Sequence, residues 1–463
     1  MTGVITARPT AARRATDQDL RARLARSAQC AESPVSGTGA LFEWLAERRL
    51  KQTQAVTRVR FDELDQWGFD PVTGDLRHRS GRFFSVHGLR VRSDFGAVPE
   101  WHQPIINQPE FGILGIAMRD FDGVPHFLMQ AKSEPGNVNG MQLSPTVQAT
   151  RSNFTGVHGG SAVPYLDAFR AAEPGRVVAD VLQSEQGSWF LHKRNRNMVV
   201  EVGPGVEAGE DFRWLTLGQL HTLLSVENLV NMDARTVLSC LPDWTADDEG
   251  PALHTGREIR SWLTGRRAEH EVTVERLPLK DVTGWHRTAD AISHESGRYF
   301  SVVAVDVGSH SREVPAWSQP LLQPHGHDLA ALLVKRIDGV PHALMRARVE
   351  PGFLDVVELG PTVQCAPENH AHLPAGQHPP YLGFVLGHDP ARALFDTVLS
   401  EEGGRFHHAR TRYLVIEVDD RDPVGEGPDL RWVSTRQLDG LLEFGHQVNV
   451  QARTLVAALR AVR

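Results

Sequence analysis

FGILGIAMRDFDGVPHFLMQAKSE, residues 111–134, returns as LAALLVKRIDGVPHALMRARVE, residues 329–350. Each stretch reads as two apolar runs around Asp-Gly. That dipeptide enters a two-residue hairpin turn readily, because both turn positions need a positive φ. A sheet-forming hairpin is therefore expected once in each half of the chain. The match extends outward at a fixed spacing. SGRFFSV at Ser80 pairs with SGRYFSV at Ser296, and WHQPIINQ at Trp101 with WSQPLLQ at Trp317. EPG at Glu134 pairs with EPG at Glu350, PTVQ at Pro145 with PTVQ at Pro361, and SEQG at Ser184 with SEEG at Ser400, all 216 residues apart. Outside this block the spacing becomes 218, pairing Trp44 with Trp262, Trp67 with Trp285, Trp214 with Trp432, and Ala-Arg-Thr at Ala234 with the same triplet at Ala452.

Ordered matches at a constant offset define a tandem duplication. The expected organisation is a tail over residues 1–40, a first module over 41–241, a linker over 242–257 and a second module over 258–463. Two copies are too few for a solenoid, and each is long enough to carry its own core. Arg13 and Arg14 resemble a twin-arginine start, but the polar residues that follow suit a frayed helical tail better. With 41% hydrophobic and 23% charged residues, the chain has enough apolar surface to fold. A net charge of −8 provides no overall basic face, so a nucleic-acid partner is not expected. The three cysteines, Cys30, Cys240 and Cys365, form no CxxC pair, which argues against a disulfide framework or a structural zinc and fits a reducing cytoplasm. No apolar run approaches the roughly 20 residues that span a bilayer, so no membrane partner is expected.

Within a module, FEWLAERR (42–49) and IRSWLTGRR (259–267) have helical spacing. Residues 166–187 and 391–404, which end at glycine, read as helices with glycine C-caps. NMVVEV (197–202) and YLVIEV (413–418) read as buried strands, and RWLTLGQLHTLL (213–224) and RWVSTRQLDGLL (431–442) as helices. NLVNMDARTVLSCL (228–241) closes the module with another helix. The economical architecture is α+β, with a mixed sheet in each module packed by helices.

The order of strand, hairpin, EPG loop and SEEG segment is similar to the Nudix fold, which implies two tandem Nudix-like modules. The Nudix metal-binding box itself is broken: aligned on Glu401, Glu402 and Gly404, its Arg-Glu pair falls on Thr397 and Val398, and the first copy keeps Glu185 but then has Gln186. WHQPIINQPEFGILG, QLSPTVQATRSNF and VELGPTVQCAPENH more closely resemble the NDP-hexose 2,3-dehydratases of deoxysugar and antibiotic biosynthesis, over essentially the whole chain after the tail. The resemblance implies a nucleotide-linked 4-keto-6-deoxyhexose substrate such as dTDP-4-keto-6-deoxyglucose, loss of water across C2 and C3, and a homodimer. Such a reaction needs a base, an acid and a group to steady the ketone oxygen, with no metal or redox cofactor. In keeping with that, no GxGxxG, GxxxxGK[ST] or HExxH occurs in a supporting context.

A thymidine nucleotide asks for a flat surface, donors for the base edge and cations or N–H groups for the pyrophosphate. Trp67 and Trp285 either supply the stacking surface or pack a module corner. Arg82 and Arg298 either reach phosphate or brace a turn. Gln148, Thr150, Arg151, Ser152 and Asn153 concentrate donors in one loop, with His158 and several glycines downstream. The second copy places Gln364, Cys365, Ala366 and Asn369 in the corresponding loop, so the two sites have diverged. Gln103 and Gln319, in W-x-Q-P, either touch ligand or cap a strand. For proton transfer the candidates are the paired carboxylates Glu134 and Glu350, with Lys132 beside the first; each glutamate alternatively accepts backbone bonds in its turn. His126 and His342 read as satisfied histidines at the edge of the hairpin. Two competing functions stay open: a non-catalytic nucleotide-sugar-binding module on a Nudix scaffold, and a Nudix hydrolase, which the damaged box disfavours.

Overall fold

Both Asp-Gly hairpins form as expected. The computed structural model describes residues 11–150, 163–244, 250–309 and 314–462. Strands Gly112–Phe121 and Val124–Ser133 pair antiparallel, and their turn places Asp122 at φ 52° and Gly123 at φ 84°. The second hairpin joins Asp328–Ile337 to Val340–Val349 through Asp338 at φ 49° and Gly339 at φ 82°. Each hairpin is the centre of a seven-stranded mixed sheet, in which the first hairpin strand also runs parallel to Arg194–Glu201 or Arg410–Glu417. Helices Leu217–Leu224 and Thr435–Leu442 follow their strands directly. Each starts with a reciprocal capping box, Thr216 with Gln219 and Ser434 with Gln437, which satisfies two otherwise orphaned N–H groups. The architecture is α+β.

Three expectations need correction. Residues 177–184 and 393–400 are strands, not helices; the α-helix in the first segment is confined to Leu166–Arg170, and its counterpart Leu382–Leu386 precedes the second segment. VVADVLQS contains apolar residues at both helical and alternating spacing. Its β-branched valines and its pairing partner Arg194–Glu201 favour the extended form. The tail is also not a loose appendage. Helix Ala11–Gln29 buries Leu24 completely, Ser27 Oγ donates to Pro125 O at 2.6 Å, and Arg23 pairs with Glu201 at 2.7 Å.

The third correction concerns the expected core in each copy, because the copies trade strands. Gln54–Val59 of the first copy pairs antiparallel with Phe300–Ser309 of the second, and Val272–Leu277 of the second pairs with Ser85–Ser93 of the first. Each five-stranded small sheet is completed by the other copy. One apolar cluster accordingly runs from Leu24 to Leu459 through both large sheets and the helices between them.

Two further contacts fasten the copies together. The EPG loops cross over: Gly136 N donates to Gly403 O at 2.7 Å and His408 N donates to Gly136 O at 2.8 Å, while Gly352 N donates to Gly187 O at 2.7 Å and His192 N donates to Gly352 O at 2.9 Å. A Cβ on Gly136 would lie 1.7 Å from Phe406 O, and one on Gly352 would lie 1.7 Å from Phe190 O. Glycine is required here by the approach of another backbone. We expect Gly136→Ala to lower unfolding stability by about 1–3 kcal/mol, the usual scale of overpacking, measured as a shift in the urea midpoint. The second contact is a pair of fully buried arginines from the repeated Ala-Arg-Thr triplets. Arg235 donates to Val230 O at 2.6 Å, to Ser400 O at 2.8 Å and to Thr454 Oγ1 at 3.3 Å. Arg453 mirrors it, donating to Val448 O at 2.7 Å, to Thr236 Oγ1 at 2.7 Å and to Ser184 O.

Candidate active site

A cavity of about 870 Å³ opens between the small and large sheets of the first copy, and the second copy forms one of its walls. Strand Val124–Ser133 places Lys132 in it and the turn that follows places Glu134. Strand Val147–Thr150 contributes Gln148 and Thr150, and the strand pair Trp67–Phe69 and Leu76–His78, with the turn after it, contributes Trp67, His78, Arg82 and Phe83. The second copy contributes Trp317, Gln319, Glu402 and Arg405. Lys132 Nζ and Gln148 Nε2 each lie 3.2 Å from Glu134 Oε1. Asn195 Nδ2 donates to Glu185 Oε1 at 2.6 Å, and the ammonium of Lys193 donates to the backbone oxygen of Glu110. Arg405 lies over the Phe84 ring at 4.2 Å and donates to Gln108 Oε1 at 3.1 Å.

The buried floor of this cavity holds more carboxylates than its poor solvation allows to ionise together. Burial, reinforced by Glu134 and Glu185, raises Glu402 to about 7 against the opposing pull of Arg405. Burial also raises Glu185, and it raises Asp233 well above the usual carboxylate range with help from Glu185, Glu402 and Glu134. Lys193, 5% exposed, is lowered by burial to about 8 although Glu185 favours its charged form. Groups poised on both sides of neutrality inside one cleft can take and return protons.

The chain carries the NDP-hexose 2,3-dehydratase sequence pattern twice, over residues 38–241 and 256–459. It belongs to that family. It is 50% identical over 457 residues to dTDP-4-dehydro-6-deoxy-alpha-D-glucopyranose 2,3-dehydratase of Amycolatopsis orientalis, covering 98% of this chain and 96% of the relative. Proteins of the same name from Saccharopolyspora spinosa and Streptomyces violaceoruber are 48% and 50% identical, covering 90% and 92% of this chain and 90% and 98% of the relatives.

In this dehydratase the candidate residues fall into three groups. Trp67, Arg82, Lys132, Glu134, Gln148, Thr150 and Gln319 line the cavity, although the Trp67 indole donates to Ser318 O at 2.9 Å and the Gln319 amide to Gly404 O at 2.7 Å. Gln103, Trp285, Arg298, Glu350, Gln364, Cys365, Ala366 and Asn369 lie outside it. Gln103 donates to Ser188 O at 2.8 Å, and Trp285 donates to His102 O at 2.8 Å from within the small-sheet core. Glu350 accepts from Arg348 Nε at 2.7 Å, Gln364 Nε2 at 2.9 Å and Ser188 N at 3.1 Å, while Gln364 in turn accepts from Asn449 at 2.8 Å. Cys365 sits in a strand paired with Leu329, its thiol pushed by burial to about 12, and Ala366 caps a short 3-10 turn. Asn369 accepts from Tyr299 N at 3.4 Å, and Arg298 lies in the exposed Ser296 turn. Arg151, Ser152 and Asn153, like His158, lie outside the described residues. His126 is held by Ser33 Oγ at 2.6 Å and Val124 O at 2.9 Å, and His342 by Val340 O at 2.8 Å and Leu253 N at 3.0 Å.

Sequence reading missed Glu185, Lys193, Asn195, Asp233, Glu402 and Arg405. A signal was present in the differences between copies. At the repeat offsets Lys193 faces Ala409, Asp233 faces Gln451, Glu402 faces Gln186 and Arg405 faces Trp189. Charges present in one copy only mark part of the cavity, and Glu185, whose counterpart is Glu401, carried no such signal.

Proposed function

We propose that this chain is a lyase that removes water across C2 and C3 of dTDP-4-dehydro-6-deoxy-α-D-glucose, giving the 3,4-diketo-2,6-dideoxy sugar nucleotide. The observation that carries this reading is the convergence of Lys132, Glu134, Gln148, Lys193 and Glu402 on one cavity in a chain that matches dehydratases along its length. A volume of about 870 Å³ lies within the roughly 300–1,000 Å³ that ligand pockets occupy. The nucleotide is assigned to the end carrying Trp67, Arg82 and Phe83, and the sugar to the carboxylate floor.

The C3 hydrogen is acidic because it adjoins the C4 ketone. Glu134 takes it, and Lys132 and Gln148, each 3.2 Å from its Oε1, hold that carboxylate in position. The enolate charge develops on the C4 oxygen, where the buried Lys193 ammonium stabilises it more strongly than it would in water. The enolate then expels the C2 oxygen, and the resulting enol tautomerises to the diketone. The first copy is thus the catalytic one. In the second copy Glu350, which accepts from Arg348, Gln364 and Ser188, lies outside this cavity.

The modules are further read as Nudix-like. A mixed sheet built on a hairpin and flanked by helices supports this, although the segment aligned with the metal box, at Thr397 and Val398, is a strand. A homodimer, a cytoplasmic location and a place in deoxysugar and antibiotic biosynthesis are proposed with it. No helix among the described residues is long and apolar enough to cross a membrane. Incubation with dTDP-4-dehydro-6-deoxyglucose in EDTA, followed by mass spectrometry, is expected to reveal loss of one water. Tight dTDP binding without turnover would instead favour the binding-module reading. Magnesium-dependent release of a sugar phosphate would favour the hydrolase. Sedimentation tests the dimer.

A further inference from the structure

We propose that Glu402, carried by the second copy, is the general acid that protonates the departing C2 hydroxyl in the first copy's cavity. This rests on the dehydratase reading and adds the second proton-transfer group that the reaction needs. Glu402 lies in the SEEG turn, and its neighbours are fixed. Glu401 accepts from Tyr413 Oη at 2.7 Å and from Gln186 Nε2 at 2.8 Å, Gly403 O accepts from Gly136 N at 2.7 Å, and Gly404 O accepts from Gln319 Nε2 at 2.7 Å. Between these anchors the Glu402 side chain reaches the cavity, and its carboxylate accepts no hydrogen bond from the described residues. A group that must hand a proton to a ligand has to be free of such partners. Glu350 and Glu401, buried carboxylates of the other half, are not free.

The charged groups around Glu402 are Glu134, Glu185 and Asp233 on one side of the balance and Lys193 and Arg405 on the other. The crowding of carboxylates in a buried floor keeps much of Glu402 protonated near neutrality. The reciprocal position in the other copy is Gln186, whose amide is committed to Glu401 and has no acidic proton to give. Each copy thus extends the third residue of its S-E-x-G turn toward the other, and only one of the two residues is an acid.

In the proposed step the enolate electron pair forms the C2–C3 double bond as the C2–O bond breaks. The Glu402 proton moves to that oxygen, which leaves as water. Glu134 ends protonated and Glu402 ionised, and solvent exchange restores both.

The test is Glu402→Gln in the full-length protein, assayed with dTDP-4-dehydro-6-deoxyglucose in D2O, with dTDP affinity measured alongside as a check on the fold. Dehydration is expected to fall by about 10²–10⁴-fold, the range of general acid catalysis. The variant is still expected to bind dTDP and to exchange the C3 hydrogen for deuterium, because Glu134 is intact. Wild-type turnover is expected to decline above about pH 7 as Glu402 loses its proton, and this alkaline limb should vanish in the variant. A variant that dehydrates at the wild-type rate overturns the proposal, as does one that binds dTDP but exchanges no C3 hydrogen. A wild-type protein that does not dehydrate the substrate at all overturns the underlying reading instead.

Discussion

Glu134→Gln is expected to reduce dehydration by about 10³-fold, within the range for a general base, while Glu350→Gln leaves the rate of the folded enzyme close to wild type. The two glutamates sit at equivalent repeat positions, each followed by Pro-Gly, and both are nearly buried, at 7% and 3% exposure. Their surroundings separate them. Both are held by equivalent partners, Lys132 and Gln148 for the first and Arg348 and Gln364 for the second, but only Glu134 lines the cavity. Glu350 has its oxygens taken up by Arg348, Gln364 and the Ser188 N–H, which ties the two copies together. Removing its charge leaves Arg348 without its carboxylate, so the cost appears as stability, about 1.5–3 kcal/mol for hydrogen bonds to a charged group. Steady-state kinetics and urea unfolding of both variants distinguish the roles. Equal, undiminished rates would remove both glutamates from the mechanism.

Arg235→Met is expected to cost about 3–5 kcal/mol of folding stability, the scale for breaking a buried charged network. The guanidinium has no exposure, and its partners are the Val230 and Ser400 carbonyls and the Thr454 hydroxyl, one from its own copy and two from the other. Methionine fills part of the volume but donates nothing, leaving two carbonyls buried and unpaired. Lysine cannot replace the arginine fork, since one ammonium does not reach three acceptors in a plane, so Arg235→Lys should recover little. The urea midpoint measures both. A shift equivalent to under about 1 kcal/mol, the level of an ordinary surface change, would mean that the arginine pair does not hold the halves together.

The parts of the fold legible in the sequence are those decided by local chemistry. Asp-Gly turns dictate the hairpins, whereas the stretches read as helices over 213–224 and 431–442 begin as strands Phe212–Leu215 and Leu430–Ser434, and the helices start only after the capping residues Thr216 and Ser434. The segment from Val177 to Ser184 was misread because its apolar residues satisfy two periods, and only the neighbouring strand Arg194–Glu201 selects one of them. The strand exchange was not legible. QAVTRV and VTVERL have the same burial pattern, so either would suit either small sheet, and the choice depends on chain path. The candidate residues divide between cavity and scaffold. Identity between copies drew attention to Gln103, Gln364 and Trp285, which prove to hold the scaffold common to both. Part of the cavity charge stands where the copies disagree, as at Lys193, Asp233 and Glu402, and part where they agree, as at Glu134 and Glu185, so comparison of the copies finds only the first kind.

The reciprocal strands give this polypeptide the anatomy of a twofold homodimer written as one gene product. In an assembly of identical subunits, any substitution appears at both symmetry-related positions, and two equivalent pockets must change together. Fusion lifts that restriction, so that Glu402 and Gln186 can occupy mirrored places with different chemistry. Tethering also fixes the local concentration of each half about the other near the millimolar range typical of short links. The asymmetric pairing therefore forms within every molecule, however dilute the protein.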